Sequence, residues 1–385
     1  MPAGESTATP RQATRAPSAI IVGAGPAGLA VAACLARAHV PFTVLEQKES
    51  VAASWRGHYD RLHLHTNKGT SALPYLPFPR GYPRYPSRDQ MIDYVETYAR
   101  TFGIEPRFNE EVVAARRRDG RWEVRTHTAT YEAPHLVIAT GLNREPVVPQ
   151  WPGQERYRGR IVHSREYRNG RDFSGRRVLV VGIGNSGGEI AIDLHEHAAR
   201  PSIAVRGPVN VLPRDILGIP VVVTAMAAGL LPPPVADAFN APLLRLLLGN
   251  LRPLGLQAPP YGSLTQIART GRIPMIDVGT IDLIKRGVIA IRPGIERFVE
   301  DGVVFTDGRR EAFDAVVLAT GFRARVDSFL EAQGLVDEHG NPRPDAALPE
   351  GLYFCGFNVV ARGLLNQIGR DAKGIAAQIA GDRAA

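Results

Sequence analysis

Two glycine-rich turns of one type carry the chemistry that can be read from this sequence. The first is Gly23-Ala24-Gly25-Pro26-Ala27-Gly28 and the second is Gly182-Ile183-Gly184-Asn185-Ser186-Gly187. Each follows a short apolar run, Ala19 to Val22 and Val178 to Val181, and each precedes a helical pattern. In a strand-turn-helix context the first glycine makes the tight turn, the second lets the backbone approach a pyrophosphate, and the third lets helix and strand pack closely. The helix N-terminus then offers unpaired N–H groups and a partial positive charge to the phosphates. One such unit binds one dinucleotide, so two of them imply two dinucleotides brought face to face, as electron transfer between them requires.

The residue closing the second strand of each unit separates the two sites. The run Pro41 to Leu45 ends in Glu46, whose carboxylate suits the two hydroxyls of an adenosine ribose and rejects a 2′-phosphate. The run Ser202 to Val205 ends in Arg206, a fixed cation suited to a 2′-phosphate. FAD at the first site and NADPH at the second is the resulting expectation. The competing reading makes both residues solvated strand ends, and it weighs more on Arg206 than on Glu46.

These turns need a scaffold, and the pattern along the chain supplies one of class α/β: two nested Rossmann-like dinucleotide-binding domains. Residues Asp89 to Phe102 have helical spacing with Met91, Ile92, Val95 and Tyr98 on one face. Strands of a small meander follow at Trp122 to Thr126 and Thr130 to Glu132, and then the apolar strand His135 to Ala139 ends in Ala139-Thr140-Gly141. The same ending recurs after Ala315 to Leu318 as Ala319-Thr320-Gly321. Each marks a place where the chain crosses between domains. A last strand, Gly351 to Cys355, leads through Gly356 to a helix from about 364 to 379 that walls the flavin pocket. The expected division is a disordered tail over 1–17, an FAD domain from 18–145 and 321–385, and an NADPH domain over 146–320 with an apolar helical insertion at about 216–256. Within that insertion, Ile216 to Leu231 is expected to form a buried or lid helix stopped by Pro232 to Pro234. Ala241 to Leu248 is expected to form another, with Pro242 in its first turn. Together they would roof an apolar pocket.

A length of 385 residues allows two or three domains with their own cores. The net charge of +8 is carried mostly by arginine, and the run Arg116 to Arg118 reads as a solvated face before a turn at Asp119-Gly120. No basic stripe interleaved with aromatics occurs, so nucleic-acid binding is not expected. Only Cys34 and Cys355 are present, without a C-x-x-C pair, which argues against a disulfide reductase and a structural zinc site and fits a reducing, cytoplasmic setting. The apolar insertion is too short and broken for a membrane span, so membrane contact is not expected. A homodimer is compatible with the sequence.

Further residues resemble a known family. The segment Tyr157 to Tyr167 resembles the F-x-G-x-x-x-H-x-x-x-F/Y fingerprint of class B flavin-containing monooxygenases, with Tyr157 in place of phenylalanine. Within that group the chain is most similar to the plant YUCCA flavin monooxygenases. The matching runs are Y-D-R-L-H-L-H at Tyr59 to His65, L-P-Y-L-P-F-P at Leu73 to Pro79, Y-P-S at Tyr85 to Ser87, V-L-P-R at Val211 to Arg214 and L-A-T-G-F at Leu318 to Phe322. The resemblance runs from about Ile20 to the C-terminus. It implies reduction of FAD by NADPH, capture of molecular oxygen as a flavin C4a-hydroperoxide, and oxidative decarboxylation of an arylpyruvate such as indole-3-pyruvate. The alternatives left open are N- or S-oxygenation of a soft nucleophile and an NADPH oxidase or reductase that inserts no oxygen.

The same resemblance assigns residues. Gly23, Gly25, Pro26, Ala27, Gly28, Glu46, Trp55, Thr140 and Gly356 fall to FAD, and Gly182, Gly184, Asn185, Ser186, Gly187 and Arg206 to NADPH. Many members carry an asparagine just before a lysine on the segment facing the isoalloxazine ring, and Asn67-Lys68 is the pair that matches, which makes these two the catalytic candidates. Against that role, Asn67 also suits an ordinary loop cap and Lys68 an ordinary solvated lysine. His163 reads as a structural tie rather than a base. His63 and His65 lie on a segment too irregular to fix their directions, and no third ligand accompanies them, so no metal site is expected. Ser186 superficially resembles the serine of a nucleophile elbow, but its dinucleotide context explains it better.

Overall fold

Residues 17–331 and 334–382 are described by a computed structural model, and they form two parallel sheets, each carrying one of the glycine turns. The expected tail over 1–17 lies, except for Pro17, outside the described residues. The first sheet has the order Phe42–Leu45, Ala19–Val22, His135–Ile138, Leu352–Phe354, all parallel. Its last strand comes from the C-terminal end of the chain, after the whole second sheet. That second sheet orders Ala290–Arg292, Arg200–Ala204, Arg177–Val181, Ala315–Leu318 and Arg160–His163, again all parallel. The two chain crossings meet: Glu145–Pro146 pairs antiparallel with Phe322–Arg323.

Burial explains why the central strands are apolar runs at Ala19–Val22, 178–181 and Ala315–Leu318. In the first sheet Ile21 and Val137 face the core made with helix Pro26–Arg37 and the C-terminal helix Leu364–Asp382. The alternate residues Ile20, Val22, Leu136 and Ile138 face a second core against the meander of Val112–Arg118, Arg121–Thr126 and Thr130–Ala133, where Trp122 is fully buried. A parallel sheet covered on both faces requires this pattern. The second sheet repeats the plan with helix Asn185–Glu196 on one side and the meander Ile295–Val299, Gly302–Phe305, Arg310–Ala312 on the other.

Several family-like motifs act as ties between parts. Ser87 caps helix Arg88–Thr101 in a capping box with Gln90. The Leu73 to Pro79 run docks on that helix: Tyr94 Oη accepts the Leu73 N–H at 2.8 Å, Tyr98 Oη donates to the Pro74 carbonyl at 2.9 Å, and Phe78 stacks on Tyr94. In the fingerprint segment Tyr157 donates to the Phe313 carbonyl at 2.8 Å. His163 Nδ1 accepts the Arg165 N–H, so its Nε2–H donates to the Gly321 carbonyl at 3.2 Å and ties one crossing to the other.

The insertion departs from expectation. Ile216 to Leu231 is not one helix but a hairpin of Asp215–Ile216 and Ile219–Pro220 followed by helix Val221–Ala228, because Leu217 and Gly218 both take left-handed backbone angles. Proline 232 to 234 start a helix rather than ending one. It runs Pro233–Leu248, with Pro in its first turn, where missing N–H groups cost nothing. Pro242 therefore lies inside this helix and not in a first turn, and it removes the donor for the Ala238 carbonyl.

Candidate active site

The two glycine turns are built to one plan. Gly23 N–H donates to Leu45 O at 2.8 Å and Gly182 N–H to Ala204 O at 2.9 Å, which joins each turn to the neighbouring strand. Both residues hold φ near +105°, at +110° and +104°, and a Cβ would meet the carbonyl of Ala139 in one case and Ala319 in the other, at 2.6 and 2.7 Å. The two Ala-Thr-Gly endings are thus the floors of the two turns. At Gly28 and Gly187 a Cβ would fall 1.9 and 2.0 Å from the carbonyl oxygen of Gly23 and Gly182, so only glycine lets helix and turn touch. At Gly25 and Gly184 a Cβ would meet nothing within 4 Å. That open space, at the N-terminus of a helix, is what a phosphate requires.

One cavity of about 640 Å³ extends from the first turn to the insertion. Gly23, Gly25, Pro26, Ala27, Glu46, Trp55, Thr140 and Gly356 all line it, and Asn185 enters it from the second half. Gly28 stays behind the wall in its packing role. The Glu46 carboxylate accepts the Ala24 N–H at 2.8 Å and the Lys48 N–H at 3.0 Å. Burial pushes its carboxyl up and these N–H groups pull it back. Thr140 Oγ1, at the cavity edge, is buried without a hydrogen-bond partner among the described residues. An orphaned hydroxyl, an open glycine cradle and a carboxylate with spare acceptor capacity fit a dinucleotide with free ribose hydroxyls. His58 also lines this cavity, and burial, with Arg165, Arg88 and Arg168 nearby, pushes it down to about 4.

The second turn opens outside this cavity apart from Asn185, whose Oδ1 accepts the Ile276 N–H at 2.7 Å. Ser186 stands beside the buried Tyr59 hydroxyl. Arg206 lies just past strand Arg200–Ala204, exposed, and its side chain makes no hydrogen bond or ion pair among the described residues. A free guanidinium at that strand end fits a phosphorylated ribose.

Asn67 and Lys68 are not part of the cavity wall. Asn67 Oδ1 accepts from Thr70 Oγ1 at 2.7 Å at the start of a single helical turn. Lys68 Nζ donates to the carbonyls of Pro79, Arg80 and Tyr82. Both bind their own loop. The segment instead turns Leu64, His65 and Thr66 into the cavity. His65 Nε2 contacts the carboxylate of Glu189, a residue only 2 % exposed on the helix that the second turn opens. Sequence reasoning missed this pair because an irregular segment has no period from which side-chain direction can be read.

The far end of the cavity is apolar, lined by Val221, Val222, Ala225, Leu264, Ile267 and Ile276. Helix Val221–Ala228 thus contributes to the roof as expected. Helix Pro233–Leu248 does not line the cavity; it backs helix Ser263–Thr270, whose Leu264 and Thr265 N–H groups are accepted by Asp237. Among the described residues no group of His, Cys, Asp and Glu is placed to hold a metal ion, and no helix is long and apolar enough to cross a membrane. Both cysteines are free and buried.

Comparison with known proteins agrees with this architecture. Residues 20–213 match the family model described as pyridine nucleotide-disulphide oxidoreductase. The chain is 45% identical over 365 residues to the indole-3-pyruvate monooxygenase YUCCA1 of Oryza sativa subsp. japonica, covering 92% of this chain and 89% of that protein. It is 41% identical over 372 residues to the probable indole-3-pyruvate monooxygenase YUCCA1 of Arabidopsis thaliana, with 94% and 89% covered. Among solved structures, a flavin-containing monooxygenase from Stenotrophomonas maltophilia superposes with a TM-score of 0.72 at 24% identity, covering 96% of this chain and 99% of that one. An oxidised steroid monooxygenase bound to NADP gives 0.75 at 19%, with 96% and 86% covered.

Proposed function

The chain belongs to the YUCCA family of flavin monooxygenases, and from that membership and its cavity we propose that it uses NADPH, FAD and molecular oxygen to convert an arylpyruvate, indole-3-pyruvate in the first instance, into the corresponding arylacetate and carbon dioxide. The observation that carries this reading is one continuous cavity that begins at a glycine turn and ends under an apolar roof. The bound flavin, reduced by the nicotinamide, supplies the redox chemistry that activates oxygen.

The rest is work for this chain's residues. The Gly23 to Gly28 turn holds the flavin pyrophosphate in the space left at Gly25, Glu46 accepts the ribose hydroxyls, and Thr140 finds in the cofactor the partner it otherwise lacks. Trp55 and Gly356 close the sides. Gly184 leaves the matching space for the nicotinamide cofactor, with Arg206 on its 2′-phosphate. The apolar roof receives the aryl ring and excludes water, and this protects reactive species from premature protonation. Cys34 and Cys355 take no part: burial pushes both thiols up, and neither lines the cavity.

The test is aerobic turnover by FAD-loaded protein with NADPH and indole-3-pyruvate, following indole-3-acetate, carbon dioxide and hydrogen peroxide. Acetate formed in step with NADPH consumed supports the reading. NADPH consumed with only peroxide released makes the protein an oxidase, and turnover of a thioether but not of the 2-oxo acid makes it a heteroatom oxygenase.

A further inference from the structure

The contact between His65 and Glu189 joins the two halves of the molecule at the cavity wall. His65 belongs to the segment that follows Trp55, and Glu189 to helix Asn185–Glu196. A carboxylate only accepts, so His65 Nε2 carries the hydrogen and the ring tautomer is fixed. Nδ1 is then the nitrogen left over, and it has no hydrogen-bond partner among the described residues. Glu189 Oε2 is buried with no hydrogen-bond partner among the described residues. A carboxylate this enclosed is unfavourable unless something compensates it.

The location indicates what compensates it. His65 lines the cavity beside Thr66, and a Cβ at Gly363 would touch both Thr66 and Val222, so this is where the polar part of the cavity meets the apolar roof. On the arylpyruvate reading, a ring under the roof turns its 2-oxo acid end toward the polar part of the cavity, where His65 is among the lining residues. Around the pair stand Tyr59 and Arg61 from the same segment and Asp193 one turn further along the helix. Arg61 is already committed to Glu196 through two hydrogen bonds, and Tyr59 is buried beside Ser186, so neither is free to meet a ligand.

We propose that His65 binds the substrate carboxylate, that its Nδ1 takes up a proton from solvent as the anion arrives, and that Glu189 is the positioning residue that orients the ring and stabilises its imidazolium form. This rests on the arylpyruvate reading above. Glu189 and the substrate carboxylate each carry one negative charge, and the proton gained by His65 sits between them, which leaves one net negative charge in place of two. Without that proton an anion would be driven next to a buried carboxylate.

The experiment is calorimetric titration of indole-3-pyruvate into FAD-loaded, oxidised protein under nitrogen, without NADPH, at slightly alkaline pH in two buffers of different ionisation heat. Wild type should take up about one proton per anion bound. His65→Gln should lose the uptake and raise Kd about tenfold or more. Glu189→Gln should lose most of the uptake while keeping its yellow flavin, which shows that the fold survives. Wild-type uptake in Glu189→Gln, or a wild-type Kd in His65→Gln, would overturn the proposal. If wild type does not bind the 2-oxo acid, the substrate reading itself falls and takes this inference with it.

Discussion

Replacing the middle glycine of each turn by alanine separates cofactor binding from folding. At Gly184 the backbone lies at φ −74° and ψ −175°, which any L-residue adopts, and at Gly25 it lies at −81° and −175°. No atom lies within 4 Å of the added Cβ at either site, so Gly25→Ala and Gly184→Ala should change stability by less than about 1 kcal/mol. The added methyl occupies space that a pyrophosphate needs, and overpacking of about 1–3 kcal/mol weakens binding about 5- to 150-fold. Gly187→Ala is the contrasting control, since its Cβ would sit 2.0 Å from the Gly182 carbonyl and must push the helix away. Flavin absorbance per protein, thermal denaturation and the KM for NADPH read out the three variants. Gly25→Ala should fold but be pale, Gly184→Ala should be yellow with a raised KM for NADPH, and Gly187→Ala should melt early. A yellow Gly25→Ala together with a Gly184→Ala of unchanged KM would refute the assignment of both turns.

Three further outcomes are expected. Arg206→Ala should raise the KM for NADPH at least about tenfold while leaving that for NADH within about twofold, because only the former loses a charge-assisted contact; equal effects would remove Arg206 from the site. Asn67→Ala and Lys68→Ala should lower the melting temperature through lost loop ties of about 1 kcal/mol each yet leave kcat/KM within about threefold, and a loss of about a hundredfold in either would place it at the chemistry after all. His58 is held down to about 4 from an ordinary 6.5, so the folded protein binds fewer protons than the unfolded chain between those values. Stability should therefore rise with pH through that window and level off above it, by at most about 3 kcal/mol from this residue. Urea titrations of wild type and His58→Asn between these limits check it, and parallel pH profiles would contradict it.

Much of the architecture was legible in the chain because it is local. A glycine turn needs its strand, its turn and its helix within a short stretch, and the two hexapeptides with their flanking apolar runs state all three. Strand Ala315–Leu318 falls where its pattern places it, and the two Ala-Thr-Gly endings mark the floors of the two turns. The prolines at 232 to 234 misled, since a proline disfavours the helix before it and suits the first turn of the helix after it equally well. Pro242 misled in turn, because where a helix begins decides whether a proline is terminal or internal.

What the sequence determined by itself was therefore the two nucleotide cradles and the class of chemistry they serve. Which side chains share the cavity was decided only by the tertiary structure. Asn67 and Lys68 face their own loop, while His65, two residues earlier on the same irregular segment, meets Glu189 from the other half of the molecule. The contact spans 124 positions of chain and no regular element fixes the direction of His65, so packing of the two halves alone brings the imidazole and the carboxylate together.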